Sequence, residues 1–265
     1  MMQLNDTVSQ KIGELQNFAR NLNLTSMAEN LPYALLQAQE KAMSYSEFAG
    51  QLLNTEINSR IEKRITRATK MAKLGAVEDL DSFNFSIRPK LEARIIKELC
   101  SCQFVAERRN VLCLGHPGLG KTRIAKTIAR SACLAGYSVV FVNTAKMLED
   151  IQGSLADNTY HKTMHRYVKP RLLVCDEFAY ERFSSDAAQF LFRLVSARYK
   201  HGSMIITANT GLQNWRNFFP SETSAILTMD RLVDGATILR FTGQGCRKPR
   251  DIHGAELEND AQPIL

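Results

Sequence analysis

Gly115, Gly120, Lys121 and Thr122 stand at the spacing G-x-x-x-x-G-K-[ST] in the run GHPGLGKT. Glycines let successive backbone N–H groups curl toward one hollow, where they and the positive end of a following helix hold phosphate oxygens. Lysine at that point reaches the outer phosphates, and the threonine hydroxyl ligates Mg²⁺. This assigns Gly115, His116, Pro117, Gly118, Leu119, Gly120, Lys121, Thr122 and the adjoining Arg123 to binding of a nucleotide such as ATP. A second constellation is the acid pair Asp176-Glu177 behind the apolar run Leu172-Leu173-Val174-Cys175. Asp176 is the candidate for the Mg²⁺ shell beside Thr122, and Glu177 for orienting and deprotonating an attacking water. Asn209, after Thr207-Ala208, offers an amide to hold that water. A chance lysine in a glycine turn, or two acids capping a helix, are the plainer alternatives. The full motif and the strongly apolar run before the acids count against both. A small-molecule kinase or GTPase has no need of the acid pair, whereas a hydrolytic ATPase does.

For these groups to meet, each must end a strand of one parallel sheet, because ligand crevices open at the carboxyl ends of such strands. Val111-Leu112-Cys113-Leu114 is the strand before the loop, and a helix follows it to about Arg130. Ser138 to Val142 reads as a second strand from its β-branched and aromatic residues, Leu172 to Cys175 as a third and Met204 to Thr207 as a fourth. Helical patterns fill 144–154, 158–168 (closed by Pro170) and 185–200. Alternating strands and helices predict an α/β class, a mainly parallel sheet covered by helices, over residues 86–265.

Residues 1–85 read as a small all-helical domain with a linker. Ile12, Leu15, Phe18, Ala19 and Leu22 mark one apolar face and Met27, Leu31, Leu35 and Leu36 another, with Pro32 expected to kink or interrupt the second helix. Ser44-x-x-Glu47 is a capping box opening a long helix that Gly75 would stop. Glu78 to Ser86 breaks the period and reads as a linker that tucks aromatics against the next domain; Ile87 to Leu99 resumes a helical pattern.

Charge divides unevenly. The total is +7, of which residues 86–265 carry +8. In residues 1–85 nine bases meet ten acids, yet Arg60, Lys63, Arg64, Arg67, Lys70 and Lys73 fall within fourteen positions beside Glu62 alone. Few intrahelical ion pairs are open to that stripe, which reads either as a solvated helix face or as a contact for the phosphates of duplex DNA. The six cysteines are scattered without C-x-x-C pairs, as free thiols of a reducing cytosol would be. No run approaches the ~18 apolar residues of a membrane span and the N-terminus lacks an apolar leader segment, so a cytoplasmic location is expected.

Several of these motifs together resemble the AAA+ ATPases, with Asn209 at the sensor 1 position. More narrowly the chain is similar to the IstB/DnaC-type proteins of the initiator clade, and most of all to the IstB-like transposition helper ATPases of bacterial insertion sequences. The resemblance rests on Met27-Ala28-Glu29, the basic stretch from Glu62 to Lys73, the aspartate-phenylalanine linker, GHPGLGKT, CDEF, TAN followed by Trp215, and Asp230-Arg231-Leu232. It implies ATP-dependent self-association on duplex DNA and recruitment or stimulation of a partner transposase. It also implies that Arg231 serves a neighbouring subunit's nucleotide and that Arg247 acts as sensor 2 in its own. His116 departs from the smaller residues common in this loop, and TGQGCRKP (242–249) matches the family's Gly-x-Ser-x-Arg pattern loosely. A loader of a replicative helicase, DnaC-like, is the nearest rival; a nucleotide-held structural switch is another, against which Glu177 argues.

Overall fold

The computed structural model describes residues 6–78, 80–243 and 245. The chain divides into two compact units, Met1–Met71 and Ala72–Leu265.

The first unit is helical. It contains α1 (Asp6–Asn21), α2 (Thr25–Glu40) and most of α3 (Tyr45–Ala72). The capping box forms in both directions: the Ser44 N–H donates to Glu47 Oε2 at 2.8 Å, and the Glu47 N–H donates to Ser44 Oγ at 3.3 Å. Leu31, Ala34 and Leu52 form its core, with Met27, Leu35 and Phe48 against them. Pro32 does not interrupt α2, which runs on to Glu40; packing of Leu31 and Ala34 outweighs the one backbone donor that proline removes. On α1, Ala19 is buried, but Leu15, Phe18 and Leu22 of the expected face stay exposed. Lys73 lies beyond the end of α3 with φ 56°, so the left-handed cap comes before the anticipated stop at Gly75.

The second unit carries a five-stranded parallel sheet in the order β2-β3-β4-β1-β5, from β1 (Val111–Leu114), β2 (Val139–Asn143), β3 (Leu172–Phe178), β4 (Ser203–Ala208) and β5 (Thr237–Arg240). Helices α4 (Ala93–Cys100), α5 (Gln103–Ala106), α6 (Lys121–Leu134), α7 (Thr144–Gly153), α8 (Tyr160–Val168), α9 (Ser185–Arg198) and α10 (Glu222–Val233) complete it. The α/β parallel sheet flanked by helices, preceded by a small helical region, is the architecture the sequence predicts. α4 starts at Ala93, not Ile87, because Pro89 keeps the residue before it out of helical geometry. Of the four expected strands, β1, β3 and β4 are buried along their apolar runs and β2, at the sheet edge, is half-buried beyond Val139, whereas the opposite edge strand β5 and the helix α10 go beyond what the sequence pattern predicts.

Glu78 and residues 80–88 lie against the start of α6. Phe83 is buried, and Arg123 lies over its ring at 5.4 Å while pairing with Glu78 at 2.9 Å. The Arg88 guanidinium, 1% exposed, donates from Nε to the Leu119 carbonyl at 3.1 Å. The described cysteines are all free thiols. Burial pushes Cys113 and Cys175 up to about 12, so neither supplies a thiolate near neutral pH.

Candidate nucleotide site

The loop between β1 and α6 is built as its sequence requires. Gly115, Gly118 and Gly120 have φ of +153°, +76° and +90°. A Cβ at Gly115 would stand 2.2 Å from the Phe241 carbonyl oxygen, and one at Gly120 would stand 2.8 Å from the Phe83 ring. The loop is thus gripped by β5's continuation on one side and by the linker on the other. Gly120→Ala should lower affinity for a fluorescent ATP analogue by about tenfold or more, since it adds both backbone strain and a clash; titration of the variant measures it, and unaltered affinity would mean that the loop yields freely.

Lys121 opens α6 and is 6% exposed, its Nζ donating to the His116 carbonyl at 2.7 Å across the loop. His116 itself faces outward and serves through its backbone. The Thr122 hydroxyl donates to Asp176 Oδ1 at 2.8 Å, which joins α6 to the end of β3. A hydroxyl and a carboxylate so placed suit Mg²⁺, a hard cation that takes one or two protein oxygens and completes its shell with phosphate oxygens and water. Arg123, grouped with the loop from sequence, turns away from it: Glu78, Ser82 and Phe83 hold its side chain.

Glu177 is where the strand departs from regularity. The β3–β4 register shifts between Cys175 and Phe178, and Glu177 takes φ 55°, a left-handed conformation uncommon for a non-glycine residue. Such a bulge re-aims a side chain. Two groups then fix it. The Glu177 N–H donates to Thr207 Oγ1 at 3.0 Å, and Asn143 Nδ2 donates to Glu177 Oε2 at 2.7 Å. Thr207 also donates its hydroxyl to Asp176 Oδ1, so one buried side chain orders both acids.

Neither Asn143 nor Thr207 is singled out by the sequence, which puts the weight on Asn209. Asn209 does sit just past β4, half-buried on the same edge of the sheet. Asn143 ends β2, caps α7 through its Oδ1 and points its amide at Glu177. It carries the same signal as Asn209, a polar residue at the end of an apolar strand.

Arg231 is elsewhere. It lies on α10, its carbonyl facing Asn110 Nδ2 at 3.5 Å, so it neighbours the start of β1 while the loop follows its end. Its guanidinium rests over the Phe192 ring at 4.9 Å and donates to the Leu227 carbonyl at 2.8 Å. Arg247 lies outside the described residues.

The model of the IstB-like ATP binding proteins matches residues 17–253. The chain belongs to that family. Among its relatives, the ATP-binding protein of insertion sequence IS21 from Pseudomonas aeruginosa is 28% identical over 251 residues, 95% of each chain. An IS21-like insertion-sequence ATP-binding protein of Bacteroides fragilis is 32% identical over 234 residues, 88% of this chain and 89% of that one. Among solved structures, DnaI aligns with a TM-score of 0.53 and 20% identity, and the DnaC helicase loader with 0.50 and 15%. Each covers 64% of this chain, and respectively 92% and 97% of the other. These place the fold among the AAA+ P-loop domains.

Proposed function

We propose that this family member is an Mg²⁺-dependent ATPase of an insertion sequence that self-assembles on duplex DNA and recruits or stimulates a partner transposase. The observation that carries the hydrolytic part is the double hold on Glu177. Asn143 occupies Oε2, which leaves Oε1 to accept a proton from a water in line with the terminal phosphate. Lys121 and the loop amides would bind the phosphates, and Thr122 and Asp176, joined by their hydrogen bond, would hold the cation. A bound Mg²⁺ would neutralise charge on the phosphate oxygens. Asn209 stands at the same edge to orient the water. A protein that only held nucleotide as a structural prop would have no use for a strained, doubly bonded glutamate beyond the metal ligand. Phosphate release measured with and without Mg²⁺ tests this; no release above background under conditions where ATP binds would overturn it.

For DNA, α3 provides the stripe. Lys63, Arg64, Arg67 and Lys70 are exposed and lie within about 120° of one helix face at 3.6 residues per turn. Arg60 is already engaged, with Glu56 at 2.8 Å and the Asn23 carbonyl at 2.8 Å, and contributes charge more than reach. Lys73 follows the helix end in the chain. Neutralising Arg64, Arg67 and Lys70 together should lower the slope of log K against log salt, by up to about 0.9 for each phosphate no longer neutralised. An unchanged slope would return this stripe to a solvated face.

The insertion-sequence relatives match 88–95% of the chain, DnaI and the DnaC helicase loader 64% of it, which favours the transposition role over that of a loader. A cytoplasmic site of action follows from that role.

A further inference from the structure

The ATPase unit carries a second cationic face, on α8 (Tyr160–Val168). His161, Lys162, His165, Arg166 and the C-cap residue Lys169 are all exposed. At 100° per residue they fall within about 140° of the helix circumference, while Tyr160, Met164 and Val168 take the opposite side and pack on the sheet's core. No acid occurs between Asp157 and Asp176.

The plain reading of bases on a helix is dipole compensation, and it accounts for His165, Arg166 and Lys169 in the last turn. It fails for Lys162, which lies in the first turn, where cations oppose the dipole and acids are favoured, and α8 has no acid there. A lysine there costs the helix a little stability, which an external anion lying along this face would offset. Among the described residues, the acid that pairs with this face is Asp150, 4.0 Å from Arg166 and already accepting from the Tyr167 hydroxyl at 2.7 Å.

The face is also rigid. Arg198, 1% exposed, ties down the end of α8 by donating from one nitrogen to the carbonyls of Tyr167 (2.9 Å), Val168 (2.8 Å) and Pro170 (2.8 Å), and from the other to Ser203 (2.7 Å). Burial lowers its pKa to about 10, still well above neutrality, so the clamp keeps its charge. From His161 to Lys169 the face extends about 12 Å. A DNA strand places a phosphate about every 3.4 Å along the axis, so several fall within that span.

We infer that α8 is a phosphate-backbone contact for duplex DNA on the ATPase unit, separate from the α3 stripe. This rests on the DNA-binding part of the proposed function and deepens it. The test uses the full chain and a fluorescein-labelled random-sequence duplex, with anisotropy read across a salt series. Lys162→Gln/Lys169→Gln, which spares the partnered Arg166, should lower the log–log salt slope by up to about 1.8, for two phosphates. Lys162→Glu/Lys169→Glu should weaken binding further at every salt concentration, with ATP affinity retained as the check on folding. If wild type binds DNA and both variants match it in slope and affinity, the α8 assignment is overturned while the α3 reading stands. If the variants bind DNA normally but lose only stimulation of a transposase, the face belongs to a protein partner and the assignment is again overturned. Absence of any DNA binding by wild type at low salt would remove the underlying reading as well.

Discussion

Glu177→Gln is expected to bind ATP as the wild type does and to hydrolyse it roughly 10²–10⁴-fold more slowly, the usual contribution of a general base. The substitution is nearly isosteric. A glutamine oxygen can still accept from Asn143 Nδ2, as Glu177 Oε2 does at 2.7 Å, and the backbone bond to Thr207 is untouched. What disappears is the ability to take a proton. Lys121→Ala separates the two roles from the other side, because that lysine stands in the loop, its Nζ on the His116 carbonyl, and would meet phosphate already in the ground state. Its expected phenotype is loss of ATP binding itself, with turnover falling as a consequence. Radiolabelled ATP retention and phosphate release, measured on both proteins, distinguish the cases. Normal phosphate release by Glu177→Gln would take this carboxylate out of the mechanism, and Asn143 with it.

The contrast between Glu177 and Asn143 shows what a sequence carries and what it withholds. Glu177 is legible because an apolar strand ending in two acids is contiguous in the chain. Asn143 lies 34 residues earlier, and only the pairing of β2 with β3 brings Asn143 opposite Asp176. The same physics explains Arg123. Its place after Lys121-Thr122 suggests a nucleotide contact, but the linker, from 41 residues upstream at Ser82, claims the side chain. Strands β1, β3 and β4 can be read because burial on both faces makes them continuous apolar runs, and the half-buried edge strand β2 because its residues are β-branched and aromatic. β5 cannot, since an edge strand of four residues with Ile238 and Arg240 exposed has neither a run nor a full alternation. Where a local signal and a packing demand disagree, packing prevails: α2 runs through Pro32. Where the local signal concerns backbone geometry alone, as at Pro89, it holds against the apolar pattern around it.

Arg231→Ala should reduce hydrolysis by about 10³-fold or more, and the loss should be repairable by a second inactive protein. The reason is charge. Within the loop, β3 and Asn209 the cation that would face a bound phosphate is Lys121, since Arg123 is turned to the linker. The charge that builds on the terminal phosphate during transfer calls for another, and an arginine supplied there is worth about 10³–10⁵ in rate in other NTPases. Arg231 cannot serve its own site. Asn110, which its carbonyl touches, precedes β1, and Gly115 follows β1, so the strand's length of about 13 Å lies between them. It is instead half-exposed on α10, with its guanidinium steadied over Phe192, a place from which it can meet a neighbouring copy. Turnover should therefore rise more than linearly with protein concentration, and DNA that gathers subunits should promote it. Arg231→Ala keeps an intact site without the arginine, whereas Lys121→Ala keeps the arginine without a working site. Each alone should be inactive, and an equimolar mixture should regain part of the wild-type rate through interfaces that pair one protein's site with the other's arginine. Full activity of Arg231→Ala by itself would make the residue part of the α10 surface and would leave ATP hydrolysis to single subunits.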